Sequence, residues 1–238
     1  LDLYLLFILA TAIFCGFFVQ TLVGFAGSLV ALPILLLALR LPDAIAYISL
    51  FYMISSAYMI YREWKNIDRK TIIRLSLASV VGVILGIIVL SYTKPVILKK
   101  GLGVFILSYV AYVFFLRKDY KIGRKTNLAF GILGGFFAGV FSTGGPLYVI
   151  SVKNSIYEAR TFRATMMGVL ALVTLIRVPA LSISGILTMN HVKISIIILP
   201  VFFLAQFVGI KLFPKINEVQ FKNILLILLF LSGFSLLF

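Results

Sequence analysis

One apolar stretch, interrupted by glycine, occurs twice in this chain, about half its length apart. The first copy reads GFFVQTLVGFAGSLVALP (residues 16–33) and the second GFFAGVFSTGGPLYVIS (residues 135–151). Each enters on Gly-Phe-Phe and then meets small and hydroxyl residues. These are Gly24, Gly27 and Ser28 in the first copy, and Ser142, Thr143, Gly144, Gly145 and Pro146 in the second. A bilayer tolerates unwound backbone only where protein or a water-filled cavity satisfies the freed N–H and C=O groups. Paired interruptions in corresponding halves of an apolar chain are the pattern of a transporter's substrate site. Either copy alone reads equally well as helix-packing glycines. The matched pair favours the broken-helix site.

Hydrophobic residues make up 62% of the 238 and charged residues 12%, with a mean hydropathy of +1.16. That excludes a water-soluble globule, whose apolar share is nearer half. Apolar runs of the roughly 20 residues needed to cross hydrocarbon recur along the chain. They cover residues 3–39 (one span plus extra helix), 44–61, 71–92, 96–116, 127–152, 164–186, 194–213 and 224–238. The connections are too short for a soluble domain. The expectation is an all-α polytopic membrane protein of seven or eight transmembrane helices, one domain over residues 1–238, with the lipid bilayer as its surroundings. No small-residue cleavage site follows the first run, so no cleavable signal peptide is expected. The single cysteine, Cys15, rules out an intrachain disulfide and a cysteine-rich metal site, and reads as a packing residue.

A net charge of +15 would suggest nucleic acid for a soluble protein. Here the charges sit at span ends, and no nucleic-acid partner is expected. One loop carries Arg62, Lys65, Arg69, Lys70 and Arg74 against Glu63 and Asp68; another carries Arg117, Lys118, Lys121, Arg124 and Lys125 against Asp119. Two spans separate these loops, so both face one side, which the positive-inside rule makes cytoplasmic.

The repeat extends past the glycine patches. Asn66-Ile67-Asp68 followed by a span with Gly82 and Gly86 matches Met189-Asn190-His191 followed by a span with Ala205 and Gly209. An internal duplication follows, with residues 1–120 as one repeat and 121–238 as the other. Residues 3–39 would measure about 55 Å as one helix, nearly twice the hydrocarbon thickness, so the chain bends back or re-enters there. If both copies do so, each half crosses an odd number of times and the repeats are inverted, which is the reading favoured. The small-xxx-small pairs Gly82 with Gly86, Gly131 with Gly135, Gly135 with Gly139 and Ala205 with Gly209 mark close helix packing.

The acids Asp2, Asp43, Glu63, Asp68, Asp119, Glu158 and Glu218 all fall near span ends. A cation or metal site would want intramembrane carboxylates, so no metal site is expected. An anion needs donors, and a half-helix starting near Ser28 and another near Leu147 supply unpaired N–H groups at their positive ends. Around them Gly24, Gly27, Gly144 and Gly145 let backbone approach a ligand, while Gln20, Thr21, Ser28, Ser142 and Thr143 offer donors. Arg177 is the deepest charge on this assignment. An arginine there costs about 3 kcal/mol to insert, which makes it a binding candidate, with snorkelling as the alternative. Arg163 at a span entrance reads as a headgroup or positive-inside contact. Lys153 and Arg160 read as a vestibule or, more simply, as solvated loop charges. His191 reads as an exposed loop histidine, and Asp43 after Pro42 as an N-cap.

The two Gly-Phe-Phe segments resemble the sulfite exporter TauE/SafE family of membrane transporters. So do Gly24-Phe25-Ala26-Gly27-Ser28, Phe162-Arg163-Ala164-Thr165 and the closing LPVFFLAQFVGIKLFPKINEVQFKNILLILLFLSG (residues 199–233). The resemblance covers nearly the whole chain. It implies a secondary transporter of a small sulfur-containing anion such as sulfite, thiosulfate or an organosulfonate across the cell membrane, without cofactor. It does not name the ion, and the oligomeric state, a homodimer included, stays open. Three other readings use the same residues: an anion channel, a transporter of a non-sulfur carboxylate, and, remotely, an intramembrane serine protease built on Ser28 and His191. No Gly-rich Lys-Ser/Thr phosphate loop is present, so an ion gradient or the substrate's own gradient supplies the energy.

Overall fold

The computed structural model describes residues 3–115, 124–153, 158–215 and 217–237. Asp2 and the loop charges Arg117, Lys118, Asp119 and Lys121 lie outside the described residues, and so does the side chain of Lys153. The described residues form α1 (Leu3–Val23), α2 (Gly27–Leu35), α3 (Leu41–Glu63), α4 (Arg69–Tyr92) and α5 (Pro95–Phe115). The same succession of one long helix, one short helix and three long helices returns as α6 (Arg124–Phe141), α7 (Gly145–Lys153), α8 (Ala159–Ile183), α9 (Met189–Leu212) and α10 (Glu218–Ser235). Short 3-10 turns extend α3 over Trp64–Asn66 and α9 over Phe213–Lys215. No strand occurs among the described residues. Helices α1, α3, α4, α5, α8 and α9 are each long and apolar enough to cross a membrane, and α6 carries a shorter apolar stretch, Thr126–Phe141. The chain is an all-α polytopic protein.

Local chemistry sets the ends. Asp68 caps α4, its Oδ1 accepting the N–H groups of Lys70 at 3.0 Å and Thr71 at 3.3 Å. Proline opens α5 at Pro95 and stands in the first turn of α3 at Pro42, where a missing N–H costs nothing. At nine residues each, α2 and α7 rise about 13 Å and cannot cross hydrocarbon alone. Both fold back on the helix before them. A Cβ on Gly16 of α1 would fall 2.7 Å from Ala31 Cβ of α2, and one on Gly144 would strike the Gly134 carbonyl of α6.

Small residues bring the long helices into contact. Ala78, Gly82 and Gly86 of α4 meet Gly131, Gly135 and Gly139 of α6 in ascending order, so these two run parallel. Gly209 of α9 packs on Thr21 and Phe18 of α1, and the Phe17 and Phe202 rings lie 5.2 Å apart, so α1 and α9 are parallel too. Helix α3 meets α8 head to tail: Glu63 at the end of α3 pairs with Arg160 at the start of α8. Gly103 of α5 meets Gly233 and, past it, Leu236 and Leu237 beyond the end of α10, while Ile106 and Leu107 of α5 reach back only to Gly233, which makes α5 and α10 antiparallel. The helix-packing reading of these small residues holds.

Candidate functional site

Both interruptions are backbone turns of one kind. After α1 the chain bends at Gly24, with φ +84°, and the Gly24 N–H reaches back to the Gln20 carbonyl at 2.7 Å. This left-handed stop is the usual use of glycine after a helix. Glycine is needed there twice over, because a Cβ would also lie 2.9 Å from Arg163 Cγ. After α6 the equivalent position is Ser142, whose φ is +56° and whose N–H reaches the Ala138 carbonyl at 2.9 Å. Ala26, just before α2, is left-handed as well, at φ +69°. Such conformations cost non-glycine residues on the order of 1–2 kcal/mol and persist only where the surroundings enforce them.

The two turns meet. Ser28 Oγ, in the first turn of α2, donates to the Ser142 carbonyl at 2.7 Å. Gly145, the first residue of α7, leaves room for Phe25, whose Cβ lies 2.9 Å from where a Gly145 Cβ would be. The half-helices begin at Gly27 and Gly145, the second of them two residues earlier than the sequence suggests. Tyr52 of α3 accepts the Ser28 N–H on its hydroxyl at 3.0 Å. Edge-on contact with Phe17, at 5.4 Å between ring centroids, fixes the Tyr52 ring. Arg177 of α8 places its guanidinium 5.6 Å from that ring and donates Nη1 to the Ala138 carbonyl, in the last turn of α6, at 3.0 Å.

Ser28, Ser142, Thr143 and Arg177 are all buried, with Arg177 only 2% exposed. The snorkelling alternative therefore fails: this cation does not reach solvent. Among the described residues its Nε and Nη2 have no partner, and neither do Ser142 Oγ and Thr143 Oγ1. Among the described residues, no carboxylate pairs with Arg177. An unpaired buried cation costs several kcal/mol. These orphaned donors and the two half-helix N-termini that meet beside them make up one buried polar cradle, and helix N-termini in general favour negative charge.

Gln20 and Thr21 are spent differently. Thr21 Oγ1 donates to Gln206 Oε1 of α9 at 2.9 Å. Gln206 and Gln20 both direct their amide nitrogens at Ser55 Oγ of α3, Gln20 at 3.4 Å. This network ties α1, α3 and α9 together beside the first turn. Only Gln20 Oε1 remains unpartnered, lying against Gly27. Gly24 and Gly144 are required by close neighbours, Arg163 for one and the Gly134 carbonyl and Tyr148 ring for the other. Tyr52, Ser55 and Gln206 were not legible as site residues. The signal that could have found Gln206 is a lone amide in the apolar run of α9.

Three sequence readings outside the cradle are corrected. Arg163 makes no headgroup contact: it is 6% exposed, donates Nη1 to the Thr21 carbonyl at 3.1 Å and lies 3.9 Å over the Phe213 ring. Its near neighbour Thr165 accepts the Asp68 N–H at 3.0 Å, a further structural contact of the Phe162-Arg163-Ala164-Thr165 segment. His191 is no exposed loop residue. It sits buried in the first turn of α9, its Nδ1 accepting the Thr188 N–H at 3.1 Å and its Nε2 lying 3.4 Å from Asp43. Asp43 is not the N-cap of α3, which is Arg40; it lies inside the first turn and pairs with Arg40 at 3.2 Å. The protease reading loses its geometry as well, because Ser28 bonds Tyr52 and Ser142 while His191 bonds Thr188 and Asp43.

The chain is similar along all of its length to a probable membrane transporter protein of Methanocaldococcus jannaschii. The two are 27% identical over 263 aligned positions, which cover 100% of this chain and 98% of that protein. No solved structure matches it. The model of the family described as sulfite exporter TauE/SafE matches residues 8–236. With its span of apolar helices and its paired interruptions, the chain belongs to the TauE/SafE family of membrane transporters.

Proposed function

We propose that this protein is a secondary transporter of a small sulfur-containing oxyanion, such as sulfite, thiosulfate or an organosulfonate, across the cell membrane. The anion is held where the two interruptions meet and is released to either side by alternating access. The single domain consists of two inverted repeats, residues 1–120 and 121–238. Antiparallel α3 and α8, and antiparallel α5 and α10, support the inversion, since these are counterparts in the repeated helix order. Sulfur as the substrate element rests on the family alone.

One observation carries the anion: Arg177 is buried with two nitrogens that have no partner among the described residues, and it bonds the end of α6 that leads directly into the unpartnered hydroxyls of Ser142 and Thr143 and the first turn of α7. An oxyanion supplies the missing counter-charge and acceptors for these groups. The complete burial of the cradle favours a carrier over an open pore, which would leave a wet path. Thermal unfolding of the purified protein against sulfur oxyanions, phosphate, carboxylates and metal ions tests the proposal. A ligand at a hundred times its dissociation constant adds about 2.7 kcal/mol to the folded state. Stabilisation by sulfur oxyanions alone is the expected result. Stabilisation by cations and by no anion would overturn the site, and stabilisation by carboxylates alone would remove sulfur from the proposal.

A further inference from the structure

Helix α8 carries two buried arginines, and only one of them belongs to the cradle. Arg163 and Arg177 are fourteen positions apart, nearly four turns, so they share a face of α8 about 21 Å apart along its axis. Each occupies the same kind of niche. Arg177 Nη1 donates to the last turn of α6 through Ala138 O at 3.0 Å, and Arg163 Nη1 donates to the last turn of α1 through Thr21 O at 3.1 Å. Both helices break immediately afterwards, so each guanidinium caps the negative end of a broken helix. The difference is the counter-charge. Arg177 has none among the described residues, whereas Arg163 faces Glu63.

That pairing is loose. Arg163 Nη2 stands 3.4 Å from Glu63 Oε1, well beyond the 2.7–2.9 Å of a good charge-assisted bond. Arg163 Nε has no partner among the described residues. Glu63 spends its other oxygen more fully: Oε2 accepts from Arg160 Nε at 2.9 Å and from Asn66 Nδ2 at 2.7 Å. The carboxylate, itself 4% exposed, is anchored to its own end of the bundle and offers one oxygen to Arg163. Two guanidiniums share this single carboxylate. The cluster stays cationic with Glu63 in place. Arg163 also backs the first interruption directly, since its Cγ occupies the space a Gly24 side chain would need.

We propose that Arg163 is a second oxyanion-binding station, between the central cradle and the basic-loop end of the protein, and that the Glu63 carboxylate occupies it as a tethered stand-in for the anion. An oxyanion leaving the cradle takes the Nε and Nη2 edge of Arg163, displacing Glu63 from Nη2, while Glu63 withdraws onto Arg160 and Asn66. When the anion departs, Glu63 closes the station again. This rests on the anion-carrier reading above and extends it to a second site.

The test is equilibrium binding of radiolabelled thiosulfate and sulfite to the full chain in nanodiscs, alongside uptake into proteoliposomes. Wild type is expected to bind one equivalent, lost in Arg177→Gln. Glu63→Gln is expected to bind two, and Glu63→Gln with Arg163→Gln one. A single equivalent in folded Glu63→Gln, abolished by Arg177→Gln, overturns the second station and leaves the carrier reading standing. Absence of binding in wild type overturns the reading beneath it. Should Glu63→Gln not fold, Arg160→Gln at an exposed position gives the same information with opposite sign. Freed from Arg160, the carboxylate closes on Arg163, and flux falls roughly tenfold while one equivalent still binds. Unchanged flux in that variant overturns the proposal.

Discussion

Thr143 and Ser28 both carry buried hydroxyls beside the interruptions, yet the structure gives them different work. Thr143 Oγ1 has no partner among the described residues. Ser28 Oγ holds the Ser142 carbonyl at 2.7 Å and so ties one interruption to the other. Thr143→Val is therefore expected to leave the melting midpoint unchanged and to weaken anion binding by roughly ten- to a hundredfold, the loss of one hydrogen bond to a charged acceptor of about 1.5–3 kcal/mol. Ser28→Ala strands a buried carbonyl, so it should also lower stability by about 1–3 kcal/mol. Binding isotherms and thermal unfolding of the two variants side by side check this, and equal effects on both quantities would contradict it. At this scale the sequence displayed what is rare in hydrocarbon: glycine clusters, hydroxyls beside them and a deep arginine. It concealed whatever depended on a partner from a distant helix. Tyr52 looks like any aromatic of an apolar span until its hydroxyl meets the Ser28 N–H. Glu63 looks like a loop acid until Arg160 and Arg163 close around it.

The two broken helices were legible because their small residues interrupt otherwise uniform apolar runs. Their ends were less so, since the stop is made by backbone conformation rather than residue type. Gly24 and Ser142 take the same left-handed turn at corresponding positions, one with glycine and one without. This sets up a substitution with opposing effects. Ser142→Gly removes a left-handed strain of about 1–2 kcal/mol, so the melting midpoint should rise, while loss of an unpartnered hydroxyl should lower anion affinity. Gly24→Ala should do the reverse of stabilising, since it adds the same strain and drives a methyl into Arg163. Thermal unfolding of both variants decides it; a Ser142→Gly protein that melts lower would mean the serine conformation is stabilised by more than its surroundings cost. The first turn of α9 escaped the sequence reading for a related reason. Its cap is reciprocal, Thr188 with His191, and histidine at that place lies outside the usual Ser/Thr-x-x-Glu/Gln signature. The helix was therefore expected to begin later, with the histidine left on a loop.

At the scale of the whole molecule, two units of like helix order interleave: α1 of the first packs on α9 of the second, and α6 of the second on α4 of the first. Each interruption is thus clamped between helices of both units, and under the proposed alternating access a movement of one unit against the other would shift both half-helix N-termini together. Under the proposed inversion, what opens the cradle on one side closes it on the other. A channel obeys no such exclusion. The two mechanisms separate in one labelling experiment on a Thr143→Cys protein in which the native, partly buried Cys15 has been replaced by alanine. Small membrane-impermeant thiol reagents applied to right-side-out and inside-out vesicles should reach position 143 from either side, but with rates that move in opposite directions when a saturating oxyanion gradient is reversed. Bound oxyanion should slow both. Rates that rise and fall together would describe an open pore through the same cradle, and would retire alternating access while leaving Arg177 as the group the anion meets.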